Sequence, residues 1–431
     1  MPGRGVLLLT VMCSLLVLEP WRAAAQDQPG SGVYSIDALV STALRDNPEV
    51  AAARAEIDAA KGRVSQAGLR PNPMLELGGQ KALSPDNNVT VGVTLPLDLN
   101  GRKAGRVGVA EREMEMKQAQ LADRERRLTA EVRMKAADLL TTRRDLQVTD
   151  DLLGANREAL GLVGERVRRG AVPSLEENLL LVEVNRLDAG RRLLESRAEI
   201  FSLQLRALAA LPPEAPFSLA GELEPAASIG DRDTAVARAL EQRADLRAAR
   251  AEGAMARAKV LKEQAEGRWD ASVNVGYMRQ DFGFGLNGLT DRGGTRPIQD
   301  VFHYFGGGVS IMLPVRNQNQ GNIAAARAET LAAERRVELA GLIVRQEVAS
   351  AFTQYDAARR SLEIYARGVR DVARQNLDVV RRTYQLGRAT LLDVIGEQRR
   401  YIEIEMGYTE ALKQVYGAAV EIERAIGGPA R

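Results

Sequence analysis

From Arg102 to Arg169 the chain runs without a proline, and within that stretch apolar residues return at every seventh position: Val132, Leu139, Leu146, Leu153, Leu160 and Val167. No other feature of the sequence restricts the fold as strongly. A helix through this stretch is about 100 Å long at 1.5 Å per residue, far beyond the reach of a globular core. A strict period of seven, against the 3.6 of a straight helix, keeps one seam facing a partner only if helices wind around each other. The seam resumes after Gly170 at Leu180, Leu187, Leu194, Phe201 and Leu208, and again at Val348, Tyr355, Leu362 and Val369. The turns "RRGAVPS" and "QLGRAT", marked by Gly170 and Gly387, reverse the chain. Long helical hairpins with these two glycines at their tips are expected.

The same order of signals occurs twice. "LRDNPEVAAARAE" (44–56) resembles "LEQRADLRAARAE" (240–252), Pro96 in "TLPLDLNGRKAG" matches Pro314 in "MLPVRNQNQGNI", and Gly170 matches Gly387. Pro96 and Gly170 lie 74 residues apart, Pro314 and Gly387 73. The chain is read as an internal duplication. Residues 26–225 hold a helix, a β-hairpin over 73–96, a long helix over 102–169 and a helix over 174–210. Residues 226–431 hold a helix, a hairpin over 269–314, a long helix over 322–386 and a helix over 390–426. The second hairpin carries extra residues around Asp281 to Asp300, Gly-rich, which read as an insertion in a loop tip. "LPPEAPFSLAGELEP" (211–225) reads as the linker between halves.

Each half has two segments that alternate. Val89, Val91, Val93 and Leu95 interleave with Asn88, Thr90, Gly92 and Thr94; Phe305, Gly307, Val309, Ile311 and Leu313 interleave with Tyr304, Gly306, Gly308 and Ser310. One face is apolar, the other small and polar. The strands are expected to be about 9–11 residues long, the length that crosses a bilayer in a barrel; two soluble hairpins covered by helices are the competing reading. Six of the 18 aromatics, Tyr277, Phe282, Phe284, Phe302, Tyr304 and Phe305, cluster in one hairpin, with Trp269 at its other end. Rings at both ends of a strand pair suit two membrane interfaces, so Trp269, Tyr277, Phe302, Tyr304 and Phe305 are expected there. Four strands in lipid would leave two unpaired edges, which hydrocarbon does not tolerate. Such a chain must oligomerise: two copies give eight strands and a filled interior, three give twelve and a lumen, which the small polar face favours.

The N-terminus agrees with export. A basic start at Arg4, an apolar run from Val6 to Leu18 and Ala23-Ala24-Ala25 form a signal-peptide pattern over residues 1–25, too short to span a bilayer. Cys13, the only cysteine, lies within it, preceded by Met12 rather than by the small residue a lipoprotein signal wants. With a single histidine, His303, and no cysteine after the signal, a His/Cys metal site is excluded. His303 reads as a surface or girdle residue. The formal charge of +2, without long runs of one sign, gives no indication of nucleic acid. Neither "GGGVS" nor "DRGGT" ends as a phosphate loop does. The acidic residues interleave with arginines as on solvated helix faces. No nucleophile stands beside a base, so no enzyme and no cofactor are expected.

The duplicated grammar, "LPLDLNGRKAG" and "LPVRNQNQGNI" at the strand-to-helix junctions, and "YQLGRATLLDVIGEQRRY" together resemble the TolC-like outer-membrane efflux channels, over nearly the whole mature chain. The resemblance implies an α+β, mostly helical fold. In that fold, four strands per chain join a trimeric twelve-stranded barrel, and helical hairpins form a tunnel. It implies location in the outer membrane of a Gram-negative bacterium, extending into the periplasm, with a periplasmic adaptor and an inner-membrane pump as partners. Pro96 and Pro314 mark barrel-to-helix junctions. "AGLRPNPMLELGG" followed by "PLDLNGRKAGR" is similar to the subgroup that serves heavy-metal and cation pumps. The family's periplasmic end is constricted by acidic residues; Asp393 falls on the first such position, Gly396 departs from the second, and Glu397 beside it points about 100° away. By the repeat, Glu176 matches Asp393. The rival readings are a channel for organic toxins or secreted protein, and a periplasmic coiled-coil adaptor, which the duplication argues against.

Overall fold

The computed structural model describes residues 32–83, 86–223 and 230–428; the expected signal segment lies outside them. The first half contains β1 (Val33–Tyr34), α1 (Ile36–Asp46), α2 (Pro48–Ala67), β2 (Met74–Lys81), β3 (Asn87–Pro96), α3 (Arg102–Arg168) and α4 (Ser174–Leu208). The second contains β4 (Ser218–Leu219), α5 (Arg232–Gln242), α6 (Ala244–Glu266), β5 (Asp270–Leu289), β6 (Thr295–Met312), α7 (Gln320–Ile364), a π turn at Tyr365–Val369, α8 (Arg370–Gln385) and α9 (Leu391–Ile426). Apart from the π turn, the halves show the same order of elements.

The proline-free stretch is one helix of 67 residues. Its seven-residue seam is the buried line: Val132, Leu139 and Leu153 are inaccessible, and Leu146, Leu160 and Val167 are half-buried. Leu180, Leu187 and Leu194 continue it on α4. Apolar contacts are strung along the helices in separate clusters. One joins Leu39, Val50, Leu139 and Leu205; its counterpart joins Leu246, Val344, Val415 and Ile422. Smaller clusters follow toward the turns, around Leu153, Leu187 and Ile402, then around Val163, Leu180, Leu391 and Ile395.

Three expectations need correction. The second long helix is not continuous over 322–386: it starts at Gln320 and breaks at the π turn, where Gly368 sits at φ 122°. That conformation is open to glycine and costly for other residues, so the break is written at this position. Val369, beside it, is exposed and does not extend the seam. Second, the strands of the second hairpin are 20 and 18 residues long. The stretch around Asp281 to Asp300 is no loop: Phe282 pairs with Asp300 and Leu289 with Thr295, across a register shift between Gly283 and Asn287. Third, part of the linker is structured. Ser218 and Leu219 pair in parallel with Val33 and Tyr34, and Phe217 stacks on Tyr34 at 5.7 Å.

Where α3, α6, α7 and α9 meet, two guanidinium groups are buried. Arg243, 1% exposed, pairs with Asp245 at 2.5 Å and Glu347 at 2.7 Å and donates to the Ala425 carbonyl at 3.3 Å. Arg126 pairs with Asp123 at 2.5 Å and donates to the Arg424 carbonyl. Buried charge is tolerated here because each group has partners. Truncation of Arg243 would remove the guanidinium that pairs Glu347 and leave Asp245 only Arg126 at 3.8 Å; Arg243→Ala is expected to lower unfolding stability by about 3–5 kcal/mol, read as a lower denaturation midpoint by circular dichroism.

Candidate functional site

The sheet runs β2-β3-β5-β6, antiparallel throughout, and the β3–β5 pairing joins the halves. Residues directly opposite share a face, so the register sorts every side chain. Leu75, Val93 and Val275 form one row, Leu77, Val91, Tyr277 and Phe305 another, and Leu95, Val273 and Val309 a third. That face is apolar. The opposite face carries Glu76, Gly92, Gly276 and Gly306 in one row and Gly78, Thr90, Met278 and Tyr304 in the next. A hollow of about 460 Å³ lies against the polar face, lined by Glu76, Thr90, Gly92, Gly276, Met278 and Tyr304 among others. The sheet therefore curves with its polar side concave. The outer edges of β2 and β6 have no strand partner among the described residues.

The aromatics expected at membrane interfaces are divided by this register. Tyr277 and Phe305 lie on the apolar face, their rings 5.1 Å apart; the Tyr277 hydroxyl meets His303 Nδ1 at 2.7 Å. Phe302 and Tyr304 lie on the concave face. Trp269 stands just before β5, where its carbonyl accepts from Asn100 Nδ2 at 2.5 Å.

The two strand-to-helix junctions bend differently. After Pro96, Asp98, Asn100 and Gly101 all take positive φ, and Arg106 pairs with Asp98 at 2.7 Å. After Pro314 only Asn319 does so, its amide donating to the Glu263 carboxylate at 2.7 Å.

At the far end, Gly170 and Gly387 form the turns with φ of 67° and 70°. Asp393 and Glu176 occupy the same place, third residue of α9 and of α4. Their surroundings differ. Thr390 precedes α9 and forms a reciprocal capping box with Asp393: its amide and hydroxyl donate to Asp393 Oδ2 at 2.8 and 2.7 Å. These bonds hold the exposed carboxyl below its ordinary range. Pro173 precedes α4 and makes no side-chain cap. Glu176 instead accepts from the Tyr384 hydroxyl at 2.8 Å, tying α4 to α8. Burial, then this carboxylate, pushes the Tyr384 phenol up to about 12. Gly396 and Glu397 follow on α9, and Glu397 pairs with Arg400 at 2.5 Å.

The tertiary ion pairs above the turns were not foreseen from sequence. Glu183, 1% exposed, bridges Arg186 at 2.6 Å and Arg399 at 2.8 Å. Arg370, immediately after the π turn, pairs with Glu405 at 2.9 Å and lies 4.1 Å above the Tyr408 ring. Glu183 and Arg399 are 216 residues apart, so no local pattern announces them. Among the described residues no cluster of three or more His, Cys, Asp or Glu is placed to hold a metal, and no helix is long and apolar enough to cross a membrane.

A curved, two-faced, open-edged sheet continuing into helices of this length is the protomer architecture of an outer-membrane channel. The chain belongs to the outer membrane efflux protein family, whose profile matches residues 39–211 and 235–428. It is 25% identical over 440 residues to the cobalt-zinc-cadmium resistance protein CzcC of Cupriavidus metallidurans, covering 98% of this chain and 99% of that protein. Among solved structures it is similar to CusC (TM-score 0.74, 15% identity, 91% of this chain and 92% of that one). It is also similar to the outer membrane protein VceC of Vibrio cholerae (TM-score 0.72, 19% identity, 91% and 96%). The family consists of efflux channel proteins, not enzymes.

One carboxyl in the helical part is badly solvated. Asp145 Oδ1 on α3 is buried without a hydrogen-bond partner among the described residues. Burial, reinforced by Glu410, pushes Asp145 up to about 6, against the opposing pull of a Thr409 hydrogen bond and of Lys413 and Arg144. The native state then holds a proton that the unfolded chain has released. The resulting cost is absent below about pH 4, grows between pH 4 and 6, and is complete above. Asp145→Asn is expected to raise stability by about 1–3 kcal/mol at pH 7.5 and to change little at pH 4, measured by thermal unfolding at both pH values.

Proposed function

We propose that this chain is the outer-membrane conduit of a tripartite efflux system and works as a homotrimer. Three copies place twelve strands in one barrel, with β6 of each protomer paired to β2 of the next. This closure satisfies the backbone groups that both edges leave open. The single observation that carries the reading is the sheet itself: apolar on its convex side, small and polar on its concave side, and unable to stand alone in lipid. Valines such as Val91 and Val93 then face hydrocarbon, and Thr90, Gly92 and Thr94 line the lumen. Pro96 and Pro314 mark where barrel gives way to helices, and α3, α4, α7, α8 and α9 build the wall of a tunnel crossing the periplasm. A periplasmic adaptor and an inner-membrane pump complete the system and supply the energy, while the channel itself is passive.

The cargo we assign is metal cations, on the strength of the end-to-end similarity to a cobalt-zinc-cadmium resistance protein. At the tips, Asp393 from three chains makes a ring of negative charge that favours cations and can be bridged by them. Glu176 contributes behind it, and its bond from Tyr384 holds the tips of the two halves together.

Disrupting the coding sequence should sensitise cells to cobalt, zinc or cadmium, with the protein recovered as a heat-resistant oligomer in outer membranes. Unchanged metal tolerance would overturn the cargo, and recovery in the soluble periplasm would overturn the channel. For the aperture, Asp393→Ala in planar bilayers should weaken cation selectivity and relieve block by divalent ions. Identical selectivity and block in the two proteins would remove Asp393 from the role.

A further inference from the structure

Bulk on the concave face is distributed unevenly along the strands. In the middle of the sheet, one row is Glu76, Gly92, Gly276 and Gly306: three glycines abreast. Going toward the β5–β6 tip, the next row brings Met278 and Tyr304, the next Gln280 and Phe302, and the next Phe282 with Asp300. Three successive rows therefore add large side chains to a wall that, just below, carries only Glu76 beside three glycines. Phe302 and Tyr304 lie with their rings 6.4 Å apart, and Phe282 and Phe284 meet edge to face at 5.3 Å. Tyr304 is 47% and Phe302 37% exposed, against 84% for Phe305 on the convex face. The strands that carry them also outrun the first hairpin, since β2 and β3 end against Asp281 while β5 and β6 pair onward to Leu289 and Thr295.

We infer that Tyr304, Phe302 and Phe282 form an aromatic collar inside the outer mouth of the channel, a size-selecting constriction separate from the acidic tips. The inference rests on the trimeric reading: three copies turn each row into a ring. Lipid contact is not the role of these residues, because the register aims them away from Val91, Tyr277 and Phe305. Rings project further into the lumen than the glycines beneath them, and the charges on this face, Asp300 in the last row and Glu76 beside the glycines, flank them. The collar therefore passes small hydrated ions and holds back bulkier solutes, from either side. A passive channel that is wide at the glycine rows needs such a restriction if cells are to stay protected from large external solutes while its periplasmic end is open.

The chain's single cysteine makes a direct test possible. In a Cys13→Ser background, Gly306→Cys puts a thiol just below the collar, at a position where an added Cβ meets nothing within 4 Å. Intact cells are treated from outside with maleimides of increasing size. Small reagents should label quickly and bulky ones slowly. Phe302→Ala with Tyr304→Ala should speed the bulky reagent roughly tenfold with little effect on the small one, as expected when a pore constriction is removed. Tyr304→Trp should slow the bulky reagent further, and Tyr277→Ala with Phe305→Ala, on the other face, should leave the ratio unchanged. A ratio indifferent to Phe302, Tyr304 and Phe282 overturns the collar, as does a thiol that the small reagent cannot reach in an intact trimer. Absence of any heat-resistant trimer in the Gly306→Cys parent overturns the trimeric reading, and the collar with it.

Discussion

A helix as long as α3 cannot bury itself in a core, because no core is that long. It must find side-on contact at every turn, and the rest of the molecule follows from that requirement. The seven-residue seam meets it with Val132 and Leu139 in one cluster and Leu153 in another, so stabilisation is delivered locally along the axis. The cost of this arrangement is a shortage of apolar area at any one level. Ion pairs fill the gap where several helices converge. Arg243 and Arg126 at the four-helix junction, and Glu183 and Glu405 nearer the tips, are buried charges, each with at least one partner on another helix. Such groups add little net energy, yet they penalise every alternative register.

The second half departs from the first in one respect that matters mechanically. α3 is unbroken, whereas its counterpart is divided at Gly368 into α7 and α8. Below the break, Arg370 is held by Glu405 and Tyr408 of α9, which fixes the start of α8 against α9. A left-handed glycine inside a long helix lets the lower segment lean without unwinding the upper one.

Much of this was readable from the residues. The seam, the turns at Gly170 and Gly387, and the alternation of β3 each depend on patterns within a few turns of chain. Two kinds of feature were not. Gly283, Gly285, Asn287 and Gly288 look like loop residues, because glycine and asparagine are poor strand formers. β5 nevertheless continues through them, since Phe282 and Leu289 keep cross-strand partners on either side of the register shift. The other kind is long-range pairing. That Tyr384 reaches Glu176, or Arg399 reaches Glu183, depends on how helices far apart in sequence lie against each other, which no local window contains. The aromatics fall between these cases. Their clustering was plain, but a one-residue difference in parity decides which face a ring takes. Only the register assigned Phe305 and Tyr304 to opposite sides.

Asp393 and Glu176 show how two halves with the same order of elements come to differ through neighbours. Both are acidic, and both are the third residue of a helix beginning just after a tip. The residue before each helix separates them. Thr390 offers a hydroxyl and an amide, so Asp393 turns back to close a capping box and remains exposed. Pro173 has neither an amide proton nor a polar side chain, so Glu176 is left free to accept from Tyr384 of the other half. One carboxylate completes its own helix and stays at the surface of the tip; the other becomes a strut between hairpins. In the proposed trimer, Asp393 would give three equivalent exposed acids and Glu176 three internal ties.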